Sequence, residues 1–252
     1  ELYRLVHVFG GVCEALGLRY WASHGTLLGA LRDGGLSLHA DDAEVDMPEA
    51  DVVALQGPVM RAALARNGYE LSYDPRGRCF KVWPSGSPRA SPQRDDQLAD
   101  QSWWLPQRRV GTPALDVYVV QSPEAGHGAE RFYVSNSEFH CNDRVCTQVW
   151  KVEEMMPLLE VPFGQGRVRV PAGAAGYLGR VYGEDWSTTV RPHSWMASQG
   201  GGFEPLDVRS LPSRAAKPYG PLPTVLLPAD PDPAAADADC GGEGKRCARL
   251  TG

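Results

Sequence analysis

Acidic and apolar side chains alternate strictly from Asp42 to Met47, and this stretch constrains the fold of the 252-residue chain most strongly. A period of two is typical of a β-strand, in which successive side chains point to opposite faces. Asp42 and Glu44 therefore share one face, and two converging carboxylates repel each other and lose hydration unless a cation lies between them. Asp46 shares that face but lies a further ~6–7 Å along, too far to reach the same cation easily. The alternative interpretation is an ordinary solvated edge strand.

A second acidic residue, Asp116, lies inside the apolar run 114–120, which predicts a strand. A carboxylate in such a run is costly to bury unless it is paired or bound to a metal. If this strand lies beside the strand of Asp42 and Glu44, the three carboxylates form one site. Mg²⁺ suits such a site, because it takes oxygen ligands and keeps positions open for phosphate groups. A buried Asp satisfied by neighbouring donors is the alternative.

The pair Gly25-Thr26 follows a predicted strand, 18–22, and opens a short predicted helix, 27–32. A small residue at this position lets phosphate oxygens approach the backbone N–H groups of a helix N-terminus, where the helix dipole favours negative charge. The pair is therefore a candidate phosphate-binding turn. A simple turn with an N-cap is the alternative interpretation.

The remaining patterns predict a mixed α/β (α+β) domain over residues 1–204. Residues 84–112 are rich in Pro, Ser, Gln and charge and are interpreted as an exposed insertion. Pro, Gly, Ala and Asp dominate residues 205–252, which predicts a disordered tail that contributes little to the core. Further elements are expected as helices at 2–16, 49–66 and 174–182, and as hairpins at 69–83 and 161–171.

Charge and composition exclude some classes of function. The net charge is −6 and no run of Lys or Arg exceeds two residues, so we expect no nucleic-acid partner. The chain begins at Glu1, not Met, and we expect a fragment whose missing N-terminal region could carry a membrane anchor. Two cysteine pairs could close small disulfide loops in a secretory compartment, Cys141 with Cys146 and Cys240 with Cys247.

Residues 24–32 (HGTLLGALR) and 41–47 (DDAEVDM) together resemble the opening of the LicD and fukutin-related family. Residues 170–186 are similar to the closing segment of that family, with Val-Pro, Tyr-Leu and Tyr-Gly-x-x-Trp in the same order. Glu44 stands where the family carries a second Asp. The resemblance implies a nucleotidyltransferase fold of the DNA polymerase β kind, with a mixed sheet flanked by helices.

The resemblance also implies an activity, namely metal-dependent transfer of a phospho-alcohol such as phosphocholine or ribitol phosphate from a CDP-linked donor to a glycan hydroxyl. Mg²⁺ (or Mn²⁺) would be bound by Asp42, Glu44 and Asp116, which are also the predicted catalytic residues. Two alternatives use the same fold: a nucleotidyltransferase that moves NMP onto a small molecule, and a non-catalytic binding module. The compartment is open: secretory membranes in a eukaryote, cytoplasm in a bacterium. The residues expected to contact the donor are Gly25, Thr26, Arg32 and Lys81.

Overall fold

The computed structural model describes residues 1–37, 40–74, 79–87, 113–121, 131–134, 149–190, 206–210 and 221–227. Its helices are α1 (Leu2–Ala15), α2 (His24–Arg32), α3 (Val52–Gln56), α4 (Pro58–Arg66), α5 (Val152–Met155) and α6 (Ala174–Tyr182). Its strands are β1 (Trp21–Ala22), β2 (Ala43–Pro48), β3 (Tyr69–Asp74), β4 (Cys79–Pro84), β5 (Leu115–Gln121), β6 (Arg131–Val134), β7 (Val149–Lys151), β8 (Leu158–Phe163), β9 (Gly166–Pro171), β10 (Thr189–Val190) and β11 (Leu206–Asp207).

A mixed sheet runs in the order β1-β2-β5-β4-β3, and β6 and β7 extend it from β5. Strands β2 and β5 are parallel, whereas β1–β2, β3–β4 and β4–β5 are antiparallel. The parallel pair needs a long crossover, which α3, α4 and the β3–β4 hairpin provide. The predicted α/β class, with a mixed sheet flanked by helices, is confirmed.

Helix α1 forms because apolar residues recur at spacings of three and four, which gives one buried stripe along it. Leu5, Phe9 and Val12 in this stripe are almost fully buried. The helix ends at Ala15 with Leu16 as its C-cap, and Gly17 follows with a φ of +67°, which suits glycine. The Leu18 N–H then donates to the Cys13 carbonyl. This helix-terminating turn is the reason that β1 begins at Trp21, and the strand predicted from Leu18 was too long.

Strand β2 lies between β1 and β5 and is covered on both faces, so the edge-strand interpretation was wrong. Ala43, Val45 and Met47 are fully buried on the apolar face. On the acidic face, Asp46 is also fully buried, and its Oδ2 accepts hydrogen bonds from the indole N–H groups of Trp21 and Trp150, each at 3.2 Å. Asp46 thus links β1 and β7 to the middle of the sheet.

The expected tail is only partly described, and its described parts are attached to the domain. Strand β11 (Leu206–Asp207) pairs with β10, so the boundary predicted near residue 205 does not coincide with the last strand. Residues 221–227 lie against α1, where Leu222 and Val225 pack on the core, contrary to the expectation for that segment. Apolar side chains spaced three apart in a proline-rich stretch can bury surface without forming a helix or strand. The remaining tail residues lie outside the described ranges.

Two further predictions also fall largely on undescribed residues. The insertion is described only as far as residue 87, and both cysteine pairs lie outside the described ranges. Among the described cysteines, Cys13 and Cys79 are free thiols and buried. Within the described ranges no helix is both long and apolar enough to cross a membrane.

Replacing Gly29 with alanine should destabilise the protein by about 1–3 kcal/mol, the usual cost of overpacking. A Cβ at Gly29 would collide with the backbone of the following loop, at the Gly35 carbonyl and 2.8 Å from the Ser37 nitrogen. Gly179→Ala is the matched control, because its nearest neighbour would be 3.5 Å away and alanine favours the helix by about 0.5–1 kcal/mol. Denaturant unfolding measures both, and equal effects would contradict this account of Gly29.

Asp46→Ala should lower the free energy of unfolding by roughly 2–5 kcal/mol, since each buried indole N–H left without an acceptor costs about 1–3 kcal/mol. Glu49→Ala, at an exposed position just after β2, should change it by less than about 0.5 kcal/mol. Chemical denaturation followed by tryptophan fluorescence tests the pair. A loss for Asp46→Ala as small as that of the control would show that the indole hydrogen bonds contribute little.

Candidate active site

Three candidate residues lie in one row across neighbouring strands. The strand register pairs Glu44 on β2 with Asp116 on β5, and Asp116 in turn with Lys81 on β4. Directly paired residues point to the same face of a sheet, at a strand spacing of about 4.8 Å. Asp42 immediately precedes β2 on the same face as Glu44. The structure thus brings the predicted carboxylates and Lys81 together on one face.

Gly25 and Thr26, predicted to precede a helix that begins at residue 27, lie instead in the first turn of α2, which begins at His24. They are joined directly to the acidic strand. The Gly25 N–H donates to Oε2 of Glu44 at 2.7 Å, and the Glu44 N–H donates to Oγ1 of Thr26 at 2.8 Å. The Ser23 N–H also donates to the Glu44 carbonyl at 3.1 Å. These bonds fix the N-terminus of α2 against β2 and hold the Glu44 side chain in place. A backbone N–H predicted to bind phosphate is therefore bound to Glu44 in this structure.

Lys81 and Asp116 form a buried ion pair. The ammonium nitrogen lies 2.6 Å from Oδ1 and 2.5 Å from Oδ2 of the carboxylate, and both residues are less than a tenth exposed. Burial by itself lowers the pKa of Lys81, but the Asp116 carboxylate outweighs that effect and the pKa is raised. Lys81 is therefore a fixed positive charge inside the carboxylate row.

One lysine does not neutralise this cluster. Burial raises the pKa of Asp42 to about 8, and the carboxylates of Glu44 and Asp116 raise it further in the same direction. Burial likewise raises the pKa of Glu44 to about 8, although the hydrogen bond from Gly25 opposes the shift. The Asp116 carboxylate raises the pKa of both Asp42 and Glu44, because the three groups lie close together. At neutral pH the metal-free cluster consequently retains protons.

The donor set of this cluster fits a hard divalent cation such as Mg²⁺, because Asp42 and Glu44 supply carboxylate oxygens that form no salt bridge with any described residue. Asp116 is different, since both of its oxygens already contact the Lys81 ammonium. This pairing agrees with a further observation: within the ranges that the structure describes, no three His, Cys, Asp or Glu side chains are arranged as a ready metal site. Asp42 and Glu44 are thus the two predicted ligands that fit a cation as they stand.

Arg32, expected to contact a phosphate, is engaged elsewhere. Its Nε and one terminal nitrogen donate to the carboxylate of Asp33 at 2.9 and 2.8 Å. The other terminal nitrogen lies 3.4 Å from the Thr189 carbonyl, and the side chain is only 4% exposed. These contacts attach the end of α2 to β10. They favour a structural role for Arg32 over direct donor binding.

Two tyrosines near the carboxylates were not predicted as site residues, although Tyr182 belongs to the closing motif of the family resemblance. Burial raises the pKa of Tyr118 well above its usual value, and the carboxylates of Asp116 and Glu44 add to the shift. Burial also raises the pKa of Tyr182, with Glu44 the next contributor. Tyr118 follows Asp116 by two residues on β5, so the strand period alone could have placed it on the acidic face. Tyr182 arrives from the end of α6, which only the tertiary structure brings here.

The first residue of α2, His24, has an unusual backbone conformation, with a φ of +43°. Positive φ is uncommon for residues other than glycine and costs of the order of 1 kcal/mol. Its ring packs edge-on against Tyr118 at 5.1 Å between centroids. The strained residue therefore lies between Gly25 and the acidic strands, where its backbone sets the direction in which the Gly25 N–H points.

The sequence was compared with protein families and with curated proteins. Residues 17–96 match the family model described as LicD/FKTN/FKRP, nucleotidyltransferase domain. This segment runs from the end of α1 past β4 and contains Asp42, Glu44 and Lys81, whereas Asp116 lies outside it. No curated protein matches the chain. Members of this family are generally transferases, with a phosphotransferase-like role on glycans. Residues 17–96 thus match the nucleotidyltransferase domain of the LicD/FKTN/FKRP family.

Proposed function

We propose that this protein transfers a phospho-alcohol, such as phosphocholine or ribitol phosphate, from a CDP-linked donor to a hydroxyl group of a glycan. The observation that carries the proposal is the row Glu44–Asp116–Lys81, which lies beside Asp42 and is joined to the N-terminus of α2 through Gly25. The family match supports transferase chemistry, and the local charge supports a phosphate-containing ligand bound together with a divalent cation.

The reaction requires one bond to form and one to break. The acceptor oxygen bonds to the phosphorus that carries the alcohol, the bond from that phosphorus to the bridging oxygen breaks, and CMP leaves with the electron pair. The proton of the acceptor hydroxyl passes to a carboxylate of the cluster or to water. Mg²⁺, when bound, would supply charge neutralisation for the diphosphate and for the developing charge on the attacking and leaving oxygens.

The chain's own residues have separate roles in this proposal. Asp42 and Glu44 would hold the cation, and Asp116 would join them if Lys81 moved from its carboxylate to a donor phosphate. The Gly25 N–H, released when Glu44 turns to the cation, would donate to a phosphate oxygen at the positive end of α2. Thr26 already accepts the Glu44 N–H and keeps its hydroxyl proton available for the donor. Donor and cation binding would thus replace the hydrogen bonds that Gly25 and Lys81 make to Glu44 and Asp116 in this structure.

The Lys81–Asp116 pair favours a second candidate function, a binding module that has lost catalysis. A lysine that permanently neutralises Asp116 would leave two carboxylates, one of them the longer Glu44, for any cation. Such a module would bind a cytidine nucleotide without turning it over. Metal-dependent binding of CDP-choline with no release of CMP would identify this alternative.

Asp42→Asn should reduce turnover by more than about 100-fold, because even the loss of an outer-shell partner of a metal ligand costs about 10–100-fold. The amide preserves the shape of the side chain and removes the charge that the cation needs. The assay measures CMP release from CDP-ribitol or CDP-choline with a glycan acceptor at saturating Mg²⁺. Asp46→Asn is the matched control, since Asp46 is occupied by two indoles, and it should retain most of the activity per folded molecule.

Equal turnover by wild type and Asp42→Asn would contradict the proposed mechanism, as would activity that is insensitive to EDTA. If wild type releases no CMP from either donor, nucleotide binding becomes the deciding measurement. Mg²⁺-dependent binding would then favour the non-catalytic candidate. No binding of any cytidine nucleotide, with or without Mg²⁺, would reject both candidates.

Stability should depend on pH in a direction set by the raised pKa values of Asp42 and Glu44, both about 8 against about 4 in the unfolded chain. The folded state binds more protons than the unfolded state between these values, so metal-free stability falls as pH rises through that window. Mg²⁺ must displace these protons, so it should raise the melting temperature more at about pH 9 than at about pH 6. Thermal unfolding in EDTA and in Mg²⁺ measures both trends.

In Asp42→Asn, stability should fall less steeply with rising pH. The increase in melting temperature caused by Mg²⁺ should be largely lost in the same variant. Asp51→Asn provides the control. Burial raises the pKa of Asp51, but the ion pair with Arg19 outweighs this and lowers it, so its titration lies below this pH window. A wild-type slope that persists unchanged in Asp42→Asn would show that this carboxyl group does not titrate as described.

A further inference from the structure

Residues 221–227 (PLPTVLL) lie on the domain surface as a segment that is neither helix nor strand, named here the strap. Its two apolar anchors, Leu222 and Val225, are three residues apart and partly buried against the core. Pro223 is also partly buried, whereas the other four residues are exposed: Pro221, Thr224, Leu226 and Leu227. A period of three without internal hydrogen bonds is typical of the polyproline II conformation. Proline at positions 221 and 223 favours that conformation, because its ring fixes φ near −65°.

The two apolar anchors of the strap each meet a glycine. A Cβ at Gly11, in the middle of α1, would lie 2.8 Å from Cγ2 of Val225. A Cβ at Gly166, at the start of β9, would lie 2.9 Å from Cδ1 of Leu222. Glycine inside a helix costs about 1 kcal/mol relative to alanine, so Gly11 needs a packing reason, and close approach of the strap provides one. The two glycines therefore form two shallow seats, three strap residues apart.

Backbone groups of the strap are also recognised. Asn67, the C-cap of α4, donates its Nδ2–H to the Leu226 carbonyl at 2.7 Å and accepts the Leu226 N–H on Oδ1 at 2.9 Å. Nε2 of His7 lies 3.1 Å from the Pro223 carbonyl, which can only accept, so the ring nitrogen donates. These backbone contacts fall on residues 223 and 226, again three apart. Side-chain and main-chain contacts therefore follow the same period.

We propose that the surface formed by His7, Gly11, Asn67 and Gly166 is a binding site for an extended, proline-containing segment, and that the strap is its ligand within the same chain. Grooves that bind proline-rich segments use the preformed polyproline II conformation in the same way, with pockets for side chains and donors for exposed carbonyls. None of the four residues belongs to the carboxylate site. The site attaches the C-terminal part of the chain to α1, α4 and the β8–β9 hairpin.

The proposal is tested by supplying the strap as a separate peptide. In the full chain, the double substitution Leu222→Ser and Val225→Ser removes both anchors and should release the strap. A fluorescent peptide with the sequence of residues 221–227 should then bind this strap-released chain at least about ten-fold more tightly than it binds wild type, as measured by anisotropy. Thr224→Ser, at an exposed strap position, is the matched control and should behave as wild type.

Two further arms define specificity. A peptide with serine in place of both anchors should not bind the strap-released chain. Gly11→Ala in the strap-released chain should abolish binding of the original peptide by filling one seat, whereas Gly179→Ala, in a helix with room for a methyl group, should not. Equal binding to wild type and the strap-released chain, or no binding by a folded strap-released chain, would overturn the proposal.

If the strap-released chain does not fold, hydrogen exchange on the wild-type protein decides. The Leu226 amide should exchange at least about ten-fold more slowly than in the free peptide, because Asn67 accepts its hydrogen bond. Asn67→Ala should remove that protection. Exchange of this amide at the free-peptide rate in wild type would equally overturn the proposal.

Discussion

The acidic face of β2 imposes the main physical constraint on this protein, because carboxylates enclosed by other elements are costly unless hydrogen bonds or opposite charges satisfy them. Oδ2 of Asp46 accepts hydrogen bonds from two indole N–H groups, and Oε2 of Glu44 accepts one from the N-terminus of α2. Asp116, in the adjacent strand, is satisfied by Lys81. Their partners come from β1, β4, β7 and α2, so the positions of four elements around the sheet depend on these acidic side chains.

The need to satisfy these buried carboxylates also connects the hydrogen bonds of the fold to the proposed function. In the metal-free protein, the groups best suited to bind a donor phosphate, the Gly25 N–H and the Lys81 ammonium, are held by Glu44 and Asp116. Asp42 has no such partner among the described contacts, and burial beside its neighbours raises its pKa to about 8. The cluster thus contains more carboxylates than its one lysine can neutralise. Under the proposed function, a cation and a phosphate would enter together and exchange partners with these pairs.

The strap illustrates a different limit of sequence reasoning. Composition predicts a tail over residues 205–252 that contributes little to the core, yet it does not reveal that Leu222 and Val225 pack on the existing core. Their two seats exist because Gly11 and Gly166, more than fifty residues from the strap, lack side chains. A binding surface so far away in the chain produces no periodic pattern within the strap sequence. The entropic cost of ordering such a segment is offset only where a complementary surface already exists.

Local patterns alone predicted many of the helices and strands and the candidate carboxylates of the site. The period-two alternation defined β2, the three-four spacing defined α1, and the motifs of residues 24–47 identified the family. Tertiary structure decided the register that places Glu44 beside Asp116 and Lys81, the engagement of Arg32 with Asp33, and the approach of Tyr182 from α6. The physical reason is range. Propensity and periodicity act over a few residues, whereas the charge state of a site depends on groups that the fold brings together from distant parts of the chain. The same holds for the hydrogen-bond donors and acceptors that remain available to a ligand.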